Sequence, residues 1–224
     1  MDLEEIKRFI QIAFNNTAGQ VRRLLPNIPK DRRIIIEAGT PFIKREGIAG
    51  VRLIRRYWPG LVVADLKVLD GAYQEVMYAR AAGASAVTAA GSAPVETLDI
   101  FVGTCKAAGM YSMIDMLGVD NPLRKLMALK ARPNFVVIHK GRDEERNPRS
   151  MIRYKDINKI RSKYSTLISV AGGLDAEKVR SAFFNGADVA ILNVVFDNSG
   201  MTKGLPQNAN IRPIITGILK EIGK

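Results

Sequence analysis

The chain has 224 residues, with 34 Lys and Arg against 22 Asp and Glu, and a formal net charge of +12. This length suits one domain over residues 1–224 with a full core, and the positive charge favours anionic partners such as phosphorylated metabolites. The basic residues are scattered and do not alternate with aromatic ones, which argues against a dedicated nucleic-acid module. The single cysteine, Cys105, excludes an internal disulfide and a cysteine zinc cluster.

Apolar runs and amphipathic stretches alternate along the whole chain, with strand starts about every 25 residues. Short apolar runs predict eight strands, at residues 9–14, 33–39, 61–67, 85–91, 111–117, 135–141, 166–173 and 188–194. Amphipathic helices are predicted between them, and several end at a glycine, as helix C-caps often do: Gly83, Gly109 and Gly186. The pattern predicts an α/β fold, a single (β/α)8 TIM barrel. A doubly wound open sheet is the alternative, and the strand count argues against it.

Two further features bear on the class of protein. The longest irregular stretch, residues 140–151, is rich in charge and contains a proline, which indicates a mobile loop that could serve as a lid. No apolar run approaches the roughly 18 residues of a membrane span, and no secretory signal opens the chain. We therefore expect a soluble, cytoplasmic protein without a membrane partner.

The barrel prediction makes the strand ends informative, because active sites of this fold lie at the C-terminal ends of the strands. Four of the eight predicted ends carry ionisable side chains, five such side chains in all, and the chain's only histidine is among them. A lone histidine is more often a satisfied core residue, but its place in this ring favours a functional role. The residues delivered to this face are Asn15, Glu37, Asp65 with Lys67, Gly91, Asp115, His139, Gly172 with Gly173, and Asn193.

The segment LVVADLKVLDG, residues 61–71, has the strongest chemical signal. Strand alternation sends Asp65 and Lys67 to the same side, and burying such charges is costly unless they are paired. A surface salt-bridge cluster would explain the pattern equally well. In the functional interpretation, Glu37 and Asp65 suit Mg²⁺ better than zinc, and Lys67 stabilises negative charge on a substrate oxygen. Asp70 could orient Lys67 and keep it protonated.

The other residues at the strand ends suggest a proton shuttle and a site that binds an anion. His139 is the natural proton shuttle because its unperturbed pKa lies near neutrality. Asp115 could ligate a metal or orient a neighbour. The bare backbone of Gly172 and Gly173, just before a predicted helix near Asp175, could bind phosphate, although a plain tight turn explains the glycine pair equally well.

Here the residues resemble those of a known family. The segments EAGTPFIKREG (37–47), VADLKVLDG (63–71), MIDMLGV (113–119), VIHKGRD (137–143) and VAGGL (170–174) resemble the orotidine 5′-monophosphate decarboxylase suprafamily. Within it, 3-hexulose-6-phosphate synthase and 3-keto-L-gulonate-6-phosphate decarboxylase are the most similar. The resemblance implies Mg²⁺ held by Glu37 and Asp65, an enediolate stabilised by Lys67, and proton transfer by His139. It also implies a homodimer with shared active sites, in which Asp70 enters the partner's site.

Two departures from the family pattern concern the substrate end. The family's first strand usually ends in Asp, where this chain has Asn15, and its eighth strand usually ends in Gly-Gly or Gly-Arg, where this chain has Asn193 and Val194. The family's phosphate site uses residues after strands 7 and 8, and the part after strand 8 is altered in this chain. Lys203, in the loop after the eighth strand, is the candidate for a compensating cation, and we expect weak affinity for ribulose 5-phosphate.

The resemblance implies a lyase of the aldolase type that joins formaldehyde to ribulose 5-phosphate. The first alternative is decarboxylation of a 3-keto sugar acid phosphate through the same enediolate. The second is a binding or regulatory barrel that kept the fold without catalysis. The sequence does not distinguish the physiological substrate or direction.

Overall fold

Eight parallel strands form a closed barrel, as the sequence pattern predicts. The computed structural model describes residues 6–147, 149–195 and 203–223. Each strand pairs with its sequence neighbour, and β8 pairs with β1 to close the barrel, while a short ninth strand adds to β8. The strands are β1 (Phe9–Phe14), β2 (Ile34–Ala38), β3 (Val62–Val68), β4 (Ala86–Ala90), β5 (Tyr111–Asp115), β6 (Phe135–His139), β7 (Leu167–Ala171), β8 (Val189–Val195) and β9 (Leu205–Pro206).

Helices connect the strands on the outside of the barrel. They are α1 (Ala18–Leu24), α2 (Thr40–Glu46), α3 (Ile48–Tyr57), α4 (Ala72–Ala81), α5 (Val95–Ala107), α6 (Pro122–Met127), α7 (Arg142–Glu145), α8 (Lys155–Arg161), α9 (Ala176–Phe184) and α10 (Ile211–Ile222), with a 3-10 turn at Leu25–Asn27. In the part of the chain that the structure describes, no helix is long and apolar enough to cross a lipid bilayer.

Local chemistry sets several helix ends. The predicted glycine caps are confirmed: Gly83, Gly109 and Gly186 have φ of 87°, 67° and 91° and each follows a helix, a conformation that glycine adopts without strain. At the other end of α9, the Asp175 side chain accepts a hydrogen bond from the backbone N–H of Lys178. This cap starts the helix directly after the Gly172–Gly173 turn.

Strand alternation divides the apolar residues into two layers. One layer fills the barrel interior, with Phe9, Met113 and Phe135 buried in it. The other joins the outer face of the strands to the helices, and Trp58 and Cys105 belong to it. Cys105 is buried, so it serves as a packing residue of this layer.

The stretch predicted to be irregular, residues 140–151, begins with local structure. It contains the single helical turn α7, whose Glu144 side chain accepts a hydrogen bond from the backbone N–H of Gly141 at 3.2 Å. Three consecutive acidic residues in this turn, Asp143 to Glu145, interact favourably with the free N–H groups at a helix start. A structured turn therefore lies directly after β6, beside His139.

Candidate active site

A cavity of about 250 Å³ opens at the C-terminal ends of the strands. Most of the charged and polar residues predicted for this face line it: Asn15, Glu37, Asp65, Lys67, Asp115, His139 and Asn193. The structure adds lining residues that the sequence analysis did not identify: Gln11, Thr40, Thr88, Arg142 and Glu145. The barrel thus brings together groups that are more than one hundred residues apart in sequence.

Asp65 lies at the centre of a dense set of hydrogen bonds. Lys67 Nζ lies 2.9 and 2.8 Å from its two carboxylate oxygens. The hydroxyls of Thr40 and Thr88 donate to those oxygens at 2.7 Å each. The expectation that Asp65 and Lys67 share one side of the strand is confirmed, and the buried pair is stabilised by neutral donors from α2 and β4.

The backbone at Lys67 has an uncommon conformation. Its φ is 50°, the one positive value among non-glycine residues of the described ranges, and the pairing of β3 with β4 shifts register between Ala64 and Val68. The Thr88 hydroxyl accepts a hydrogen bond from the Lys67 backbone N–H at 2.9 Å. Residues held in sparsely populated backbone regions cluster at functional sites, because the surrounding structure must enforce them.

Asp115 connects Lys67 to His139. One of its oxygens lies 2.9 Å from Lys67 Nζ and 2.8 Å from His139 Nδ1, and its other oxygen accepts a hydrogen bond from the Leu117 backbone N–H at 2.9 Å. Burial raises the pKa of Asp115, but the nearby charges of His139 and Lys67 outweigh burial and lower that pKa below its usual value. Asp115 is therefore placed to orient its neighbours, one of the two roles expected for it.

The same carboxylate affects both of its cationic partners. Burial lowers the pKa of His139, but the charge and hydrogen bond of Asp115 raise it above the ordinary value. Burial also lowers the pKa of Lys67, and the charges of Asp65 and Asp115 more than reverse this. Lys67 therefore stays protonated, and His139 Nδ1–H is directed at Asp115, which leaves Nε2 for a substrate.

Glu37 is the least compensated carboxylate of the cavity. It is buried, and the Gln11 side-chain amide donates a hydrogen bond to it. Burial and the charge of Asp65 raise the pKa of Glu37 to about 7. A buried carboxylate beside a second one, held by a neutral amide, is a setting that a hard divalent cation would relieve. Glu37 and Asp65 therefore offer oxygen donors of the kind that a hard divalent cation prefers.

The two departures from the family pattern contact each other. Asn15 Nδ2 donates a hydrogen bond to Asn193 Oδ1 at 2.9 Å, across the seam where β1 and β8 close the barrel. Val194 follows on the outward side of the strand and is buried. Asn15 and Asn193 therefore form one neutral, hydrogen-bonded pair, and Val194 packs in the outer layer.

Other predicted residues lie outside the cavity. Asp70 is exposed, and its carboxylate accepts a hydrogen bond from the Gly71 backbone N–H at 2.8 Å. Lys203 pairs with Asp175 at 3.4 Å and does not line the cavity, so this structure does not place it as the compensating cation. Gly172 and Gly173 follow β7 with φ of 123° and 58°, are buried, and are likewise absent from the cavity lining.

This chain is similar to known proteins of one family. A sequence model described as "Orotidine 5′-phosphate decarboxylase / HUMPS family" matches residues 8–192. The "Bifunctional enzyme Fae/Hps" of Methanocella arvoryzae is 36% identical over 200 residues, which cover 88% of this chain and 50% of that protein. Its namesake from Methanothrix thermoacetophila is 37% identical over 186 residues, covering 82% and 47%. This chain spans about half the length of these curated relatives.

A solved structure extends the likeness to the full fold. The 3-hexulose-6-phosphate synthase of Salmonella typhimurium superposes with a TM-score of 0.81 at 26% identity, over 96% of this chain and 99% of that one. The family match reaches from the residue before β1 into β8, so it includes the strand ends that carry Glu37, Asp65, Asp115 and His139. This chain belongs to the orotidine 5′-phosphate decarboxylase / HUMPS family.

Proposed function

We propose that this chain is an aldolase-type lyase, similar to 3-hexulose-6-phosphate synthase, that joins formaldehyde to ribulose 5-phosphate. The observation that carries the proposal is the Lys67–Asp115–His139 arrangement, with contacts of 2.9 and 2.8 Å. It places a fixed positive charge and a proton acceptor side by side in one cavity. The names of the relatives in Methanocella arvoryzae and Salmonella typhimurium support the same activity.

The side chains have distinct roles in this reaction. Neutral His139 takes a proton through Nε2 from the carbon beside the carbonyl of ribulose 5-phosphate, which leaves an enediolate. The Lys67 ammonium stabilises the negative charge on the enediolate oxygen. The enediolate carbon forms a bond to the formaldehyde carbon, and the formaldehyde oxygen takes up the proton from His139. Asp115 holds His139 and Lys67 in position through all of these steps.

We also propose that Mg²⁺ is the cofactor and that Glu37 and Asp65 hold it. When bound, the ion would supply positive charge for the oxygens of the hydroxyketone. Gln11 keeps the Glu37 carboxylate facing the cavity, and Thr40 does the same for Asp65. Such supporting hydrogen bonds to metal-binding carboxylates are typical of functional sites.

Decarboxylation of a 3-keto sugar acid phosphate is the second candidate, because Arg142 lines the cavity. A guanidinium group pairs well with carboxylates, so it could hold the carboxyl group of a sugar acid. The Lys67, Asp115 and His139 side chains would form and stabilise the enediolate of this reaction in the same way.

A direct assay separates these functions. We expect loss of ribulose 5-phosphate that requires formaldehyde and stops in excess chelator. The Lys67→Ala variant should lose turnover by about 100- to 1,000-fold, because its charge acts on the developing enediolate. Release of carbon dioxide from 3-keto-L-gulonate 6-phosphate, without formaldehyde-dependent loss of ribulose 5-phosphate, would favour the second candidate. Inactivity on both compounds with Mg²⁺ present would favour a binding barrel.

We propose further that the active form is a homodimer with shared sites. Asp70 is exposed outside its own cavity, and large apolar side chains on the same side are exposed beside it: Leu69 at 56% and Tyr73 at 62%. Ile100 on the neighbouring helix α5 is exposed at 55%. Large apolar side chains exposed in this way are typical of protein interfaces. A second copy that covered Leu69 and Tyr73 would also meet Asp70, which lies between them in the chain.

A further inference from the structure

The turn at Gly172 and Gly173, expected to bind phosphate, is covered by a carboxylate of the same chain. A Cβ atom built on Gly173 would lie 2.7 Å from Glu145 Oε2 and 2.9 Å from Glu145 Cδ, so the carboxylate packs directly on this glycine. Glu145 lines the cavity, whereas both glycines are buried. The α7 side chain therefore lies between the cavity and the turn.

Three basic residues lie close enough to act electrostatically on this carboxylate: Lys140, Arg142 and Lys178. Lys178 Nζ donates a hydrogen bond to the Gly173 carbonyl at 3.0 Å. The backbone and Cβ of Lys140 pack on Gly172, and its ammonium donates a hydrogen bond to the Ser150 carbonyl at 2.6 Å. Burial raises the pKa of Glu145, and the charges of Arg142, Lys140 and Lys178 act in the opposite direction. The half-buried carboxylate thus lies in a positive electrostatic field and against a glycine turn, which together are the chemistry that recognises phosphate.

We propose that Glu145 is a built-in competitor for the substrate's phosphate group. The carboxylate occupies the anion site over Gly173, and a phosphate can enter only when α7 moves Glu145 aside. Lys140, Arg142 and Lys178 then face the phosphate, and they supply the positive charge that the eighth strand lacks at Asn193 and Val194. The identity of the phosphate ester in this inference rests on the proposed function, whereas the anion site does not depend on it.

The test compares two variants with the same change in charge. Glu145→Gln keeps the shape of the side chain and removes its charge, whereas Asp143→Asn removes a charge from an exposed position of the same turn that does not line the cavity. Binding of inorganic phosphate and of ribulose 5-phosphate is measured by calorimetry. We expect Glu145→Gln to bind both about tenfold more tightly than the wild type, because a like charge is gone from a desolvated site. Asp143→Asn should stay within about twofold of the wild type.

A second measurement examines the displacement itself. In the wild type, saturating phosphate should speed hydrogen exchange of the backbone amides of residues 142–147, because Glu145 leaves its position. Lys178→Met should weaken phosphate binding by about tenfold if that ammonium joins the site. Phosphate binding to Glu145→Gln that is no tighter than to Asp143→Asn, or slower exchange of residues 142–147 with phosphate, would overturn the inference. Tighter phosphate binding without formaldehyde-dependent turnover would leave it standing and refute the proposed function alone.

Discussion

Asp115 accepts hydrogen bonds from both Lys67 and His139, so one carboxylate influences the charge state of both side chains. The raised pKa of His139 has a direct kinetic consequence. The neutral imidazole is the proton acceptor, and it forms as the pH rises through that raised pKa. Turnover should therefore increase with pH and level off above the pKa of His139.

Replacement of Asp115 tests this coupling. In Asp115→Asn, His139 loses the charge that raises its pKa, so the rising limb of the pH profile should move to lower pH. The plateau should fall by about 100-fold, because Lys67 and His139 lose their shared orienting group. Turnover measured from pH 5 to 9 in both proteins checks this. An unchanged midpoint in the variant would show that Asp115 does not govern His139.

Glu37 predicts a conflict between stability and activity. Its folded-state pKa is about 7 against an ordinary 4.5, so the folded protein binds an extra proton between these values. Without metal, stability should therefore fall as the pH rises from 4.5 to 7. Glu37→Gln should have a Tm at pH 8 about 3 °C or more above the wild type, and a similar Tm near pH 4.5.

The effect of Mg²⁺ on thermal stability can be compared between the wild type and Glu37→Gln. The ion should stabilise the wild type, and it should not stabilise Glu37→Gln, which is expected to lose turnover by orders of magnitude. Thermal unfolding with and without Mg²⁺ measures both effects. A wild type that gains no stability from Mg²⁺, or that is fully active in excess chelator, would contradict a metal site at Glu37 and Asp65.

At the scale of elements, the seam between β1 and β8 depends on side chains as well as on the backbone ladder. Asn15 and Asn193 share a hydrogen bond of 2.9 Å across it. Asn15→Ala and Asn193→Ala should each lower the free energy of unfolding, and the double variant should lose about 1 kcal/mol less than the sum. Urea unfolding of the wild type, the two single variants and the double variant measures these free energies. Combining Asn15→Ala with Asn121→Ala, which removes the distant cap of α6, should be additive.

The strands were more predictable than the helices that shape the site. Buried parallel strands leave continuous apolar runs, and all eight were found from these runs. Between β2 and β3 the amphipathic pattern predicts one helix, over residues 47–58, and it does not predict α2. Gly39 and Pro41 resemble a turn, but in the structure Gly39 is the N-cap of α2 and Pro41 lies in its first turn. Gly47, with φ of 63°, then separates α2 from α3.

The residues at the strand ends were predictable, and most of those elsewhere in the lining were not. Glu37 and His139 are conspicuous at strand ends, whereas Gln11, Thr40 and Thr88 carry no charge that marks them. Their inward positions could have been found from strand alternation in the case of Gln11 and Thr88. The contact of Glu145 with Gly173 depends on how α7 packs, which is not a local property of either segment.

At the scale of the whole molecule, the barrel concentrates acidic and basic groups at one face, and the proposed dimer would complete that face with Asp70. Asp70→Ala and Lys67→Ala should each be inactive. Mixing the two subunits should restore part of the activity, because some dimers then contain one site with both residues intact. Sedimentation of the wild type as a monomer, or no recovery after verified subunit exchange, would contradict shared sites.

The central claim is that Lys67, Asp115 and His139 form an enediolate from a sugar phosphate. Incorporation of solvent deuterium into ribulose 5-phosphate, with Mg²⁺ and without formaldehyde, tests it most directly. The account predicts exchange of one carbon-bound hydrogen beside the carbonyl by the wild type, and exchange slowed at least about 100-fold in Lys67→Ala and His139→Ala. Equal exchange in the wild type and both variants, or none in the wild type while ribulose 5-phosphate is bound, would contradict it.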